Sequence, residues 1–123
     1  MLKTNTKAAR ANMCAHVREH IDTGRAEEIR ANFDACNGYG HGESLGEFLV
    51  NYECALCIYY NEQRAALAAA LEETPEEANR YPDNKVHALY KTLTARAFCE
   101  AFGYEIGYRY NNHHRLVETL RKA

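Results

Sequence analysis

The chain has no tryptophan and only two prolines, and it has no apolar run near the roughly 20 residues of a membrane span. No membrane contact is therefore expected. The basic opening Met1–Arg10 is not followed by the apolar stretch of a secretory signal, so export is not expected either. Charge of one sign is also lacking. Lys and Arg number 15 against 17 Asp and Glu, a net charge of −2, so wholesale phosphate binding is not the default mode. No disulfide framework is visible. The five cysteines, Cys14, Cys36, Cys54, Cys57 and Cys99, are odd in number and scattered, which fits reduced thiols in a cytoplasm.

What is present suits one folded unit. A length of 123 residues with 46% apolar content allows one core that buries roughly two-thirds of the unfolded surface. Balanced charge with that apolar content excludes a disordered chain.

The spacing predicts helices almost throughout. Thr4 or Thr6 can cap a first helix to about Ile21, with Ala9, Met13, Val17 and Ile21 as its apolar stripe, and Gly24 breaks it. A second helix spans about 25–36 with Ile29 and Phe33. Asn37–Gly42, with glycine at every second position, reads as a loop. Ser44 and Glu47 form the S-x-x-E capping box of a third helix, carrying Leu45, Phe48, Leu49, Tyr52, Leu56 and Tyr59. That helix either runs on or breaks near Asn61 into the alanine-rich stretch 65–71. Thr74, Pro75 and Glu77 open a short helix. Asp83 or Asn84 caps the next, about 85–102, which Gly103 ends. Tyr104–Tyr110 alternates apolar and polar, but no pairing partner is evident, so an extended connector or a minor hairpin arm is expected. Asn111 or Asn112 then caps a final helix with Leu116, Val117 and Leu120. The expected fold is a single all-α domain over 1–123. It has five to six helices and a short extended tyrosine-rich segment before the last.

Several constellations carry chemistry in principle. His16-Val17-Arg18-Glu19-His20 reads H-x-x-E-H, in which two imidazoles one helical turn apart can reach one Zn²⁺. The plainer reading is a solvated polar face opposite Met13, Val17 and Ile21. Cys54-x-x-Cys57 with Cys36 and His41 offers a Cys₃His zinc site, but it lies inside an apolar helix, where cysteine is a small hydrophobe. Gly38, Gly40 and Gly42 match neither the P-loop nor the dinucleotide fingerprint. No Ser/His/Asp order or carboxylate pair emerges. A binding protein is expected rather than an enzyme, and no cofactor is implied.

Nine tyrosines form the oddest entry of the composition. Tyr52, Tyr59, Tyr60 and Tyr90 fall in helices and are expected to be half-buried. Tyr104, Tyr108 and Tyr110 cluster with Arg109, His113 and Arg115. Tyr and Arg are the enriched residues of interface hot spots. These six, with Tyr39 and His41 of the glycine loop, are the candidate partner-binding residues. Stacking on single-stranded bases is the alternative use. A nucleic-acid-binding regulator would draw on the basic ends and on a helix pair 85–102 and 112–121.

Thr4-Asn5-Thr6-Lys7-Ala8-Ala9-Arg10, Leu45–Leu49, the turn Glu73–Ala78 and the stretch Val86–Phe102 together resemble a group of small proteins carried by phages and mobile elements of gut bacteria. The resemblance covers about 4–102 and brings no catalytic residues with it. It implies a bacterial cytoplasm and action by contact with a host protein or ribonucleoprotein. Inhibition of a defence nuclease, of the anti-CRISPR type, is one such action.

Overall fold

A computed structural model describes residues 3–53, 55–56 and 59–123. Among them, six α-helices are followed by a two-stranded antiparallel hairpin. The fold is therefore mainly α but not all-α.

Helix α1 is Lys7–His20, capped by Thr6, whose hydroxyl accepts from Ala9 N at 3.0 Å. Its stripe Ala9, Met13 and Val17 is buried, as is Ile21 just beyond it, and α1 packs on α4 (Tyr60–Leu71) and α6 (Asp83–Phe102). Helix α2 is Thr23–Tyr39. The break between α1 and α2 falls at Ile21–Asp22 rather than at Gly24. Asp22 supplies the reason, because its carboxylate accepts from Arg25 N at 2.7 Å and starts a new helix. Gly24 lies in the first turn of that helix. At the other end α2 runs through Asn37 and Gly38, so half of the expected glycine loop is helical.

Helix α3 is Leu45–Glu47, continued by a wider π-helical turn over Phe48–Tyr52. Ser44 accepts from Glu47 N at 3.2 Å. The box stays half-made, because the Glu47 carboxylate is drawn off to Lys91 Nζ at 2.7 Å and Asn51 Nδ2 at 2.6 Å. Helix α5, Pro75–Ala78, carries the full Thr74–Glu77 capping box. Helix α6 starts after Pro82, so neither Asp83 nor Asn84 caps it. Asp83 instead pairs with Arg64 at 2.6 Å, and Arg64 also donates to the carbonyls of Ala78 and Tyr81. Gly103 ends α6 in a left-handed conformation, φ 75°.

The expected final helix does not form. Residues Leu116–Lys122 are strand β2, paired antiparallel with β1, Tyr104–Tyr110, so the extended segment has a partner after all. Val117 and Leu120 are both buried, on opposite faces of the hairpin, which a single helical stripe could not achieve. The helix pair 85–102 and 112–121 is accordingly absent.

The tyrosines also depart from expectation. Tyr90 is fully buried, whereas Tyr52, Tyr59 and Tyr60 are exposed. The Tyr90 hydroxyl lies 2.8 Å from His16 Nε2. Burial, and secondarily His20, hold the His16 imidazole below its ordinary range against the opposing Glu19. Burial and Lys91 do the same for His87, opposed by Glu47. Between those lowered values and about 6.5, the unfolded chain binds more protons than the folded one. Thermal stability should therefore be level above about pH 7 and decline as pH falls through 6.5 toward the folded-state values. Midpoints measured by circular dichroism from pH 8 to 5 check this. His16→Gln should remove part of the slope.

Candidate binding surface

The hairpin is fastened to the end of α2 by polar side chains set into the chain at helical spacing. Asp34 and Asn37, three residues apart on one face of α2, reach alternate backbone groups of β2. Asp34 Oδ1 accepts from Leu120 N at 3.1 Å and from the Thr119 hydroxyl at 2.8 Å. Asn37 Nδ2 donates to Glu118 O at 2.9 Å and to Glu43 O at 3.0 Å, and its Oδ1 accepts from Glu43 N at 2.9 Å. The helix thus stands in for a third strand and closes the β2 edge. A two-stranded hairpin is marginal by itself, and this anchoring adds to the burial of Tyr104, Val117 and Leu120 in holding it to the helices.

The turn is built on Asn111. Its Oδ1 accepts from His113 N at 2.9 Å and Arg115 N at 3.1 Å, and its Nδ2 donates to Asn37 O and Gly40 O. His114 takes the left-handed conformation the turn needs, φ 59°. Asn112 N donates to Gly38 O at 3.2 Å, and Arg109 lies over Gly38 with its guanidinium donating to Asp34 O at 3.0 Å. Tyr39 and His41, some 70 positions away in sequence, are therefore held at the same end of the molecule as Arg109, His113 and Arg115.

Register sorts the tyrosines. Tyr108 faces Glu118 across the ladder, and Tyr110 faces Leu116. Tyr108, Tyr110 and Leu116 share one face, and all are exposed, at 66%, 71% and 61%. Arg109 points to the opposite face. Tyr104 is different: it is buried, stacked on Phe98 at 5.9 Å between ring centroids, with the Arg30 guanidinium over its ring. It belongs to the core and not to the surface. Leu116 is a surface member that sequence reasoning missed, since the expected helix would have turned it inward.

The other edge of the hairpin is open. The bonds Asn111 N to Arg115 O and Ala123 N to Gly103 O make the odd-numbered residues of β1 the inward-bonded ones. The N–H and C=O of Ile106, Tyr108 and Tyr110 then point outward, and none has a partner among the described residues. Beside this edge, a groove of about 870 Å³ runs between the hairpin and α6, lined by Lys91, Ala95, Cys99, Ile106 and Glu118 among others. Burial pushes the Cys99 thiol up to about 11, with Glu118 and Glu100 adding to it, so Cys99 remains a protonated wall residue.

No family model, curated protein or solved structure matches this chain.

Cys54 and Cys57 lie outside the described residues, and with them the expected zinc set Cys36, His41, Cys54 and Cys57. Cys36 is exposed near the end of α2. No helix of the described residues is long and apolar enough to cross a membrane.

Proposed function

We propose that the chain is a binding protein that receives an extended segment of a partner protein along the open edge of β1. The observation that carries this reading is the outward, unpaired backbone of Ile106, Tyr108 and Tyr110 beside exposed Tyr108, Tyr110 and Leu116. An added strand would satisfy those backbone groups, and the two tyrosine rings would supply contact area at low rotamer cost. Arg109, His113, Arg115, Tyr39 and His41 form a polar rim at the end of the same hairpin. The resemblance to phage and mobile-element proteins supports a host protein or ribonucleoprotein as the partner. Inhibition of a bacterial defence nuclease is the narrower form of the same proposal.

Affinity capture from a lysate of bacteria bearing defence systems tests it. Tyr108→Ala should weaken retention of the captured protein by about 2 kcal/mol, roughly thirtyfold. Tyr108→Pro should abolish retention. Relative to Tyr108→Ala it removes only an outward N–H, so the internal ladder and the fold survive. Equal capture by Tyr108→Ala and Tyr108→Pro would refute strand addition.

A further inference from the structure

The face of α1 carrying His16, Glu19 and His20 is solvated at Glu19 and His20, as its sequence suggests, but not fully at His16. His16 is half-buried, and one ligating atom from each of the three residues lies within 4.8 Å of the other two. The two imidazole rings are 4.8 Å apart between centroids. Around a tetrahedral Zn²⁺ with bonds of about 2.1 Å, ligand atoms sit roughly 3.4 Å from one another. Glu19 and His20 are exposed, so rotating their side chains closes the difference without moving the helix.

We propose that His16, Glu19 and His20 form a binding site for a borderline divalent metal, with Zn²⁺ as its natural occupant. The hydrogen bonds around the rings suit that use. His20 Nδ1 lies 3.0 Å from the carbonyl of His16, and donation there leaves Nε2 as the ligand. His16 Nε2 faces the buried Tyr90 hydroxyl, and donation there leaves Nδ1 as the ligand. Both contacts are of the outer-shell kind that fixes the orientation and tautomer of metal-bound histidine. Glu19 contributes the carboxylate that offsets part of the metal's charge. Arg18, the nearest cation in sequence, is turned away and donates to Ala101 O at 3.1 Å.

Three protein ligands leave at least one coordination position open. His16 and Glu19 also line a concavity of about 400 Å³ with Asn12, Ala15, Ala66, Ala69 and Ala70. The small alanine walls leave space for water or a small anion on the metal. This site lies on α1, away from α2 and the hairpin, and is independent of strand addition at β1.

Titration of the purified full chain with Zn²⁺, followed by calorimetry and chelator competition, decides the matter. Wild type should bind one equivalent. His20→Ala, an exposed substitution, should weaken binding at least about tenfold with an unchanged circular dichroism spectrum. Tyr90→Phe should also weaken binding, by roughly 10–100-fold, because the Tyr90 hydroxyl positions His16. Joint replacement of Cys36, Cys54 and Cys57 by serine should leave the affinity unchanged. Absence of binding by wild type, wild-type affinity in His20→Ala, or loss of the metal with the three cysteines would each overturn the assignment.

Discussion

Asn37→Ala is expected to lower stability by about 3 kcal/mol and to loosen the hairpin before the rest of the molecule. Asn37 is completely buried, and its amide serves three backbone groups on two different segments. Truncation leaves Glu43 N, Glu43 O and Glu118 O without their partner. A buried polar group abandoned in this way costs about 1–3 kcal/mol, and partial hydration of the loop keeps the sum below the full total. For a chain of this size, the thermal midpoint should fall on the order of 10 °C. The effect should also be local. Amides of 104–122 should exchange with solvent faster relative to those of α1 and α6, because the hairpin loses its anchor while the helical core keeps its own. Asn37→Asp should behave almost as badly, since a carboxylate cannot donate to the carbonyls of Glu43 and Glu118. Partner capture should weaken in both variants, although Asn37 itself is inaccessible to any partner. A loss of only a degree or two, with uniform exchange, would show that the Asn37 bonds do not anchor the hairpin.

The helical part of this architecture was legible because its signals are local. The stripe Ala9, Met13, Val17 and Ile21, the Thr74–Glu77 box and the Gly103 stop each act within a few residues and appear as read. The second strand of the hairpin was not legible, and Asn111 shows why. An asparagine that starts a helix and one that closes an Asx turn use the same chemistry, a side-chain oxygen accepting nearby backbone N–H groups. What separates the two outcomes is non-local: the pairing of β2 with Tyr104–Tyr110 and the polar anchors Asp34 and Asn37 on α2. The binding surface was half legible for the same reason. Composition and clustering pointed to Tyr108, Arg109, Tyr110, His113 and Arg115. Tyr104 and Tyr108 share a strand face, and only the packing of its first end against Phe98 of α6 separates buried Tyr104 from exposed Tyr108; only the α2 contacts bring Tyr39 and His41 to that end.

Gly46→Ala is expected to destabilise by about 3 kcal/mol, although the same change normally favours a helix by roughly 0.5–1 kcal/mol. Gly46 is where α3 rests directly on α6. A methyl group there would sit 2.4 Å from the carbonyl oxygen of Lys91 and 2.8 Å from its carbonyl carbon. These are backbone atoms in the middle of a long helix and cannot swing aside as a side-chain end would. Relief therefore requires α3 to lift off α6, and overpacking of that kind costs about 1–3 kcal/mol or somewhat more. Lifting α3 also stretches the Glu47–Lys91 ion pair at 2.7 Å and the bond from Leu45 N to Glu118 Oε1 at 3.1 Å. The second of these links α3 to the hairpin, so the disturbance should reach the partner-binding edge as well. Gly24→Ala is the matched control. Its added methyl group would meet only Asp22 Oδ1, at 3.6 Å, an ordinary contact in the first turn of α2. Urea unfolding should give Gly46→Ala a markedly lower midpoint with an unchanged slope, and Gly24→Ala a midpoint equal to or above wild type. Two Gly→Ala changes of opposite sign in one chain would place the cost in the α3–α6 contact rather than in helix propensity. Equal midpoints for both would mean that α3 is not seated on α6 in solution.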